Sequence, residues 1–279
     1  MKNAMQLKSI VRNMSKETNV SAQLILQNYM LEHLLARISA SQYRGNCILK
    51  GGFLIASIVG LDTRATMDMD VSITGRPVTE DAIATMFGEI ISIPIDDDIS
   101  FAFNGINEIR EGDDYNGFRV HLSGNFPPLS VPMKLDITTG DAITPKEIRY
   151  EHITMLEHRS IPVLAYNIET ILSEKIETIL SRGDQTTRPR DYYDVYILWK
   201  LRRANINLAQ LRMALAATAK HRGSSTIIRD YRRTIDVVRS SDFMREQWRR
   251  YQRAFAYAQG ISFDETCNAV MDMMESLSP

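Results

Sequence analysis

The chain has 279 residues, of which 44% are hydrophobic and 24% charged, and this composition predicts a globular protein of one large or two modest domains. No apolar run is long enough for a membrane span, and the N-terminus lacks the apolar core of a secretory signal. The two cysteines, Cys47 and Cys267, are too few for a disulfide framework and lack metal-ligand spacing, so we expect a cytoplasmic protein without redox chemistry.

The predicted elements change character near residue 165. A helix is predicted over residues 21–39, where apolar residues recur at helical spacing and either Asn19 or Ser21 could cap the first turn. Short runs then predict strands at CILK (47–50), ISFAF (99–103), GFRVHLSG (117–124) and VPMKLDIT (131–138), with turns at NG (104–105) and GDDYNG (112–117). From Asn167 onward only helical periods occur. We therefore expect an α+β fold with a mixed-sheet lobe over residues 1–165 and a helical lobe over residues 166–279.

A glycine pair follows the first predicted strand. Gly51 and Gly52 would form the turn into a helix that begins near Phe53, and this turn would offer backbone N–H groups to the oxygens of a phosphate. Glycine suits such a position because it has no side chain to keep an anion away from the backbone. A glycine pair by itself, however, is more often only a turn.

Two aspartates spaced two apart follow in the segment TMDMDVSI, residues 66–73. Because alternate residues of a strand face the same side, Asp68 and Asp70 would share one face, whereas Met67 would face the core. Two neighbouring carboxylates on a rigid strand can hold Mg²⁺, which prefers oxygen ligands and is often bound by carboxylates together with substrate phosphates. An acidic pair alone is more often a solvated strand edge.

The strand predicted at residues 131–138 offers a third carboxylate, because its alternation places Lys134 and Asp136 on one face. The chain thus contains a strand, a glycine pair, a helix, a strand with two aspartates and a later strand with an aspartate between apolar residues. This order is more specific than any of its parts, and it resembles the nucleotidyltransferase superfamily. The resemblance implies that the acids hold metal ions while a hydroxyl attacks the α-phosphate of a nucleoside triphosphate.

Charged residues on apolar helix faces mark the second half of the chain. In the helix predicted over residues 167–183, Lys175 falls inside the apolar stripe. In the next helix, Asp191 and Asp194 lie on the apolar side, so these charges too should point inward. Lys175 could lay its stem along apolar surface, or it could form a purely structural buried ion pair with an aspartate. Asp191 could likewise be a favourable acid in a first helical turn. The alternative for all three is a role at a site.

Charge is distributed unevenly along the chain. Residues 80–157 contain 15 acidic and 5 basic residues, whereas residues 187–253 contain 16 basic and 6 acidic residues. The basic segment could be a set of solvated helix faces, or it could be a surface for nucleic acid or another polyanion. Its densest clusters are formed by arginines, namely Arg202, Arg203, Arg229, Arg232, Arg233, Arg249 and Arg250.

Five segments, KGG, RATMDMD, MKLDI, SEKIETILSR and RPRDYYD, occur in an order that resembles the abortive-infection nucleotidyltransferases, the AbiEii/AbiGii-type toxins. The motifs extend from about Val20 to Asp194, and the region around Trp248 is similar to the family's C-terminal helices. Many members have glycine-serine where this chain has two glycines. The resemblance implies catalytic roles for Asp68, Asp70, Asp136, Lys175 and Asp191, metal binding by Asp68, Asp70 and Asp136, and nucleotide binding by Gly51, Gly52, Lys134, Lys175 and Asp194.

The family resemblance also implies partners and cofactors. It implies a toxin with a separately encoded antitoxin, NTP as substrate, Mg²⁺ or Mn²⁺ as cofactor, and RNA, with tRNA favoured, as acceptor. Two alternatives remain open. A small-molecule nucleotidyltransferase of the antibiotic-modifying kind would share the glycines and aspartates but would not need a basic C-terminal lobe. An inactive nucleic-acid-binding module would not need intact Asp68, Asp70 and Lys175. Hydrolase motifs and a P-loop are absent from the sequence.

Overall fold

The computed structural model describes residues 3–109 and 117–277, and within these ranges it contains eleven α-helices and seven β-strands. The helices are α1 (Ala4–Thr18), α2 (Ala22–Ala40), α3 (Gly51–Val59), α4 (Glu80–Ile91), α5 (Ile168–Arg182), α6 (Pro189–Arg202), α7 (Leu208–His221), α8 (Ser225–Arg229), α9 (Tyr231–Ser240), α10 (Asp242–Ala254) and α11 (Phe263–Leu277). The strands are β1 (Cys47–Lys50), β2 (Met69–Ile73), β3 (Ser100–Ile109), β4 (Gly117–Phe126), β5 (Leu129–Thr139), β6 (Ile148–Ile153) and β7 (Ser160–Ala165).

The chain forms two compact units. The first unit comprises Met1–Asp141 and Ile148–Ala165, and it contains all seven strands of the described residues. The second unit comprises Ala142–Glu147 and Tyr166–Pro279, and its regular elements in the described part of the chain are helical. The α+β fold class, with a mixed sheet followed by helices, is confirmed. No helix in the described ranges combines the length and the apolar composition that a bilayer crossing requires.

The first unit is built around one mixed sheet. Its seven described strands have the order β3-β4-β5-β2-β1-β7-β6, with β2 parallel to β5, β1 parallel to β7 and the other neighbours antiparallel. Helix α2 packs against α1, α4, β5 and β7. Because it has neighbours on several sides, α2 is buried over most of its length, and Leu31 and Leu34 have no exposed surface. This packing fixes the helix beside the central strands.

Charged residues form a row across four neighbouring strands of this sheet. Lys50 of β1 is the register partner of Asp70 of β2, and Asp70 is the partner of Asp136 of β5. Asp136 is in turn the partner of Arg119 of β4. Register partners in a sheet extend their side chains to the same face. The row therefore places two carboxylates between two cations on one face of the sheet.

The second unit packs its helices around α6. This helix contacts α5, α10 and α11, and nine of its residues are buried. Its aromatic side chains pack in tilted pairs against later aromatic residues: the ring of Tyr192 lies 5.4 Å from that of Phe263, and the ring of Tyr193 lies 4.9 Å from that of Tyr257. Aromatic pairs at such distances add to the stabilisation from burial. The aromatic residues of α6 thus hold its charged residues in a rigid setting.

Several local expectations are corrected by the structure. The cap of α2 is Ser21, whose side chain accepts from the N–H of Leu24, whereas Asn19 ends α1 in a left-handed conformation. The NG at 104–105 is not a turn, because β3 continues through it with a bulge. Met67 does not face the core, since 43% of its surface is exposed. The turn predicted at GDDYNG lies outside the described residues except for Gly117, where β4 begins.

Candidate active site

The glycine pair and the second aspartate of the acidic pair touch each other. Helix α3 begins at Gly51 itself rather than near Phe53, and Gly51 has a φ of 65°. A Cβ atom on Gly51 would lie 2.0 Å from Oδ2 of Asp70, and the N–H of Gly52 donates to the same oxygen at 3.3 Å. Only glycine tolerates both this backbone conformation and this close approach. The turn therefore makes room for the Asp70 carboxylate at the N-terminus of α3.

Asp68 lies immediately before β2 and is half-buried beside the other acids. The pKa of Asp68 lies above its ordinary value because burial disfavours the charged form and because Asp136 and Asp70 add negative charge. Lys134 and Arg119 act in the opposite direction. Lys134 itself is exposed on β5. The structure thus brings these acids close enough for their charges to repel one another, and a cation would relieve that repulsion.

Both oxygens of Asp136 are bound by an arginine. Nε of Arg119 donates to Oδ1 at 2.7 Å, and Nη2 donates to Oδ2 at 2.8 Å. The hydrogen bond to Asp136 raises the pKa of Arg119 further above its ordinary value, although burial acts against it. Within residues 3–109 and 117–277, no three His, Cys, Asp or Glu side chains form a group that could hold a metal ion. Asp68 and Asp70 offer carboxylate oxygens of the kind that a divalent cation prefers, and substrate oxygens or water could complete its coordination.

A buried cluster of polar side chains around Asp141, called the clip below, lies beside the acids on the same face of the sheet. Two of its members, Ser72 and Thr138, follow Asp70 and Asp136 by two residues. Oδ2 of Asp141 accepts from Nζ of Lys50 at 2.6 Å, from Oγ of Ser72 at 2.9 Å and from Oγ1 of Thr138 at 2.8 Å. These three donors come from β1, which leads into the glycine pair, and from β2 and β5, which carry Asp70 and Asp136. One carboxylate oxygen thus ties together the strands that position the acids.

Two buried amides of α2 fix the segment that leads into the acidic pair. Nδ2 of Asn28 donates to the carbonyl oxygen of Thr66 at 2.7 Å, and Nε2 of Gln27 donates to that of Met67 at 2.8 Å. Because amides in an otherwise apolar helix would be costly without partners, these bonds satisfy α2 and hold the backbone before Asp68 at the same time.

The charged residues of the second unit form an ion-pair network. Nζ of Lys175 on α5 lies 2.6 Å from Oδ1 of Asp191 and 3.1 Å from Oδ2 of Asp194, both on α6. Nε of Arg188 lies 3.1 Å from the other oxygen of Asp191. The side chain of Lys175 is 14% exposed, and those of the two aspartates are 2% and 0% exposed. The expectation that these charges point inward is met, and the buried ion pair among the alternatives is present.

The predicted site residues are therefore gathered into two groups, one in each unit. A family model described as "Nucleotidyl transferase AbiEii toxin, Type IV TA system" matches residues 33–269. The chain belongs to this family. Membership makes the protein a toxin-type nucleotidyltransferase of a toxin–antitoxin system.

Further comparisons of this AbiEii protein gave two solved structures, both from H. pylori. One is described as a candidate nucleotidyltransferase; it is 17% identical, covers 92% of this chain and 97% of its own, and has a TM-score of 0.49. The other is JHP933, which is 18% identical, covers 92% of this chain and 94% of its own, and has a TM-score of 0.48. A search among curated proteins found no significant match.

Sequence reasoning missed several residues that shape the site of this AbiEii protein. These residues are Gln27, Asn28, Lys50, Arg119, Thr138 and Asp141, whereas strand alternation does predict Ser72 on the face of Asp68 and Asp70. One signal was available for the amides, since two adjacent polar residues interrupt the apolar pattern of α2. For Arg119 the signal needs the register of β4 on β5, which the sequence does not contain.

The arginines of the basic segment in this AbiEii protein are mostly at the surface. All seven are exposed except Arg202, which is half-buried. On α10, Glu246 accepts hydrogen bonds from Arg249, Arg250 and Arg253 at 3.3, 3.4 and 3.1 Å. Three cations around one carboxylate leave a local excess of positive charge. This excess is a feature of a polyanion-binding surface.

Proposed function

We propose that this AbiEii protein uses a divalent metal ion to transfer a nucleotide from an NTP to an RNA acceptor, with tRNA favoured by the family resemblance. One observation carries the proposal: Asp70 and Asp136 are register partners on neighbouring strands, and Asp68 lies two residues before Asp70, where burial and the charges of the other two acids raise its pKa. Clusters of carboxylates with perturbed pKa values are typical of sites that work on charged substrates. A cation beside a triphosphate supplies the charge that this cluster lacks.

In this proposal the first unit binds the reacting phosphate. Asp68 and Asp70 would hold Mg²⁺ or Mn²⁺, which supplies positive charge to the triphosphate. Gly51 and Gly52 at the start of α3 would let the phosphates approach backbone N–H groups and the positive end of the helix dipole. Lys134, exposed on β5, would add a cation for the nucleotide. The protein's own contribution is thus to position the phosphate and to stabilise its charge.

In the second unit we propose that Lys175 binds the triphosphate. Asp191 and Asp194 bind its ammonium group, and Arg188 lies against Asp191 on the other side. Such an arrangement fixes the direction of a lysine side chain that would otherwise sample many rotamers. The two aspartates would therefore act by orienting Lys175, and Asp191 would be the closer of the two.

The exposed arginines support an RNA acceptor over a small molecule. An RNA backbone would be repelled by the acidic cluster of the first unit, so it needs a separate cationic surface. The arginines of α9 and α10 offer one, and arginine pairs well with phosphates through its planar fork. A separately encoded antitoxin is the further partner that we propose from the family description.

The decisive experiment supplies purified protein with Mg²⁺, total RNA and each α-labelled NTP in turn. We expect label on RNA with one or more nucleotides, and none with the double variant Asp68→Asn, Asp70→Asn. The matched control is Asp81→Asn, an exposed acid in the first turn of α4, which should transfer label like the parent. Full activity of the double variant would refute the metal site. Label on a small molecule instead of RNA would favour the antibiotic-modifying alternative.

A further inference from the structure

Arg119 lies at one end of the charged row that crosses the sheet. Its partner Asp136 follows on β5, then Asp70 on β2 and Lys50 on β1. The two cations have different partners, because Lys50 turns to Asp141 while Arg119 binds an acid of the candidate site itself. Of the two cations in this row, Arg119 is therefore the one that contacts an acid of the candidate site.

The contact between Arg119 and Asp136 uses both oxygens of the carboxylate. The two hydrogen bonds are 2.7 and 2.8 Å long, and such charge-assisted bidentate pairs are stronger than hydrogen bonds between neutral groups. The side chains are 34% and 19% exposed, so the pair is partly shielded from water. In this arrangement Asp136 already has a cation where a metal ion would be expected from the family pattern.

We propose that Arg119 takes the place of a second metal ion: the protein binds one divalent ion, through Asp68 and Asp70, and Asp136 serves to hold Arg119. This inference rests on the metal site of the proposed function. It differs from the assignment of Asp136 to the metal that the sequence pattern suggests. In the two-metal arrangement, a pair of ions clamps the attacking and leaving oxygens of a displacement at phosphorus. Here a guanidinium group supplies one of the two positive charges.

The charges of the cluster support a single ion. Of the three carboxylates, Asp136 has both oxygens bound by Arg119, which leaves Asp68 and Asp70 to bind one divalent ion. An arginine stays protonated at every relevant pH, so this cation cannot be removed by titration. A second ion at Asp136 would lie against the guanidinium and would be repelled by it. Lys134, the remaining cation near Asp68, is exposed and adds to that repulsion.

Arg119 also retains donors for a substrate. A guanidinium group has five N–H bonds, and the fork to Asp136 uses two of them. With a third of its side chain exposed, Arg119 can present another N–H to an oxygen of a phosphate bound beside Asp68 and Asp70. Its charge acts on both of these acids, as theirs does on Arg119.

The test counts bound ions and needs no catalytic turnover. Protein is titrated with Mn²⁺ alone, and the electron paramagnetic resonance signal of free Mn²⁺ gives the number of ions bound per chain. We expect one ion for the parent, two for Arg119→Met, and one again for Arg119→Met combined with Asp136→Asn. Arg119→Lys keeps a positive charge and should bind one. Arg149→Met, at an exposed arginine of β6, is the matched control and should also bind one.

Each outcome has a clear meaning. Two ions bound by the parent, or one ion bound by Arg119→Met in a folded state shown by circular dichroism, would overturn the role of Arg119. If Arg119→Met does not fold, Arg119→Gln decides the inference, because it keeps an N–H donor for Asp136 without the charge and should bind two ions; one ion would overturn the role of Arg119. No ion bound by the parent would instead refute the metal site of the proposed function.

Discussion

Gly51 is the residue at which the backbone meets the acidic cluster most closely. Gly51→Ala would force a left-handed conformation, which costs about 1–2 kcal/mol, and would place Cβ against Asp70. We expect nucleotidyl transfer to fall more than tenfold because the carboxylate is displaced. Gly223→Ala is the matched control, since Gly223 has a φ of 67° and no atom within 4 Å of the added Cβ. It should lose a similar free energy of unfolding but keep its activity; equal activity of both variants would contradict the role of the contact.

Lys175 is the residue whose structural and functional roles most need to be separated. Lys175→Met removes the ammonium group that Asp191 and Asp194 share and leaves Arg188 beside Asp191, and removing one partner of a buried pair costs about 3–5 kcal/mol. We therefore expect a loss of about 3 kcal/mol in urea unfolding, together with a loss of activity.

The triple variant Lys175→Met, Asp191→Asn, Asp194→Asn removes the buried charges along with the lysine. It should regain most of the free energy of unfolding and none of the nucleotidyl transfer. Recovery of activity in the triple variant would show that Lys175 is a structural ion pair only.

The clip at Asp141 acts on whole strands, because it joins β1, β2 and β5. Burial alone would raise the pKa of Asp141, but the charge of Lys50 and three hydrogen bonds lower it from 3.8 to about 2. Because the pKa of Asp141 is lower in the folded than in the unfolded state, the charged carboxylate stabilises the fold at pH values above the unfolded pKa. This stabilisation is lost as the pH falls through the folded pKa. The carboxylate should thus contribute about 2 kcal/mol at pH 5 that is lost between about pH 4 and pH 2.

The measurement compares urea unfolding of the parent and of Asp141→Asn over this pH range. The difference in free energy should shrink by about 2 kcal/mol from pH 5 to pH 2. Asp62→Asn, at an exposed carboxylate of the same unit, should show a nearly constant difference. A constant difference for Asp141→Asn as well would mean that the clip does not hold a charged carboxylate.

Elements with a strong local signal could be predicted from the sequence. The bounds of β1 agree with CILK, and α2 agrees with the predicted helix to within one residue at each end. Two strands have weaker signals in the sequence: β6 is an edge strand with a single buried residue, and β7 contains a proline, Pro162, although its exposed and buried positions alternate. The sequence predicts a turn at Gly105 where the structure has a bulge, because both features use glycine at unusual φ.

The candidate site could be predicted only in part, for a related reason. Asp68, Asp70 and Asp136 were found because their spacing within a strand is local information. The hydrogen bonds from Arg119 to Asp136 and those that Asp141 accepts depend on the pairing of β2 with β5 and of β4 with β5. These pairings join segments that are distant in the sequence. Long-range register follows from tertiary packing, and a single sequence carries no direct record of it.

For the whole molecule, the arginines of α10 lead to two predictions of opposite direction for the affinity of the protein for RNA. Arg249→Ala with Arg250→Ala removes cations, so RNA binding should weaken and the salt dependence of its affinity should flatten. Glu246→Gln removes the carboxylate that these arginines share, so RNA binding should strengthen. Both are measured as RNA affinity against salt concentration.

The pair Arg232→Ala and Arg233→Ala on α9 should act like the α10 arginine pair. NTP binding should be unchanged in each variant, because the acids of the first unit are intact. If affinity and salt dependence are the same in all variants, this surface does not bind RNA.

The position of β1 in the sheet affects when, during its synthesis, the toxin can become active. β1 leads into the glycine pair, yet one of its neighbours is β7, and Ile48 pairs with Leu164, more than a hundred positions later. Pairings that close so long a loop form late in folding. Ribosome-bound chains arrested before Ser160 should therefore lack nucleotidyl transfer, whereas all 279 residues held on the ribosome by an added C-terminal linker that clears the exit tunnel should possess it. The cell that makes this protein would then be exposed to its activity only after β7 has been translated.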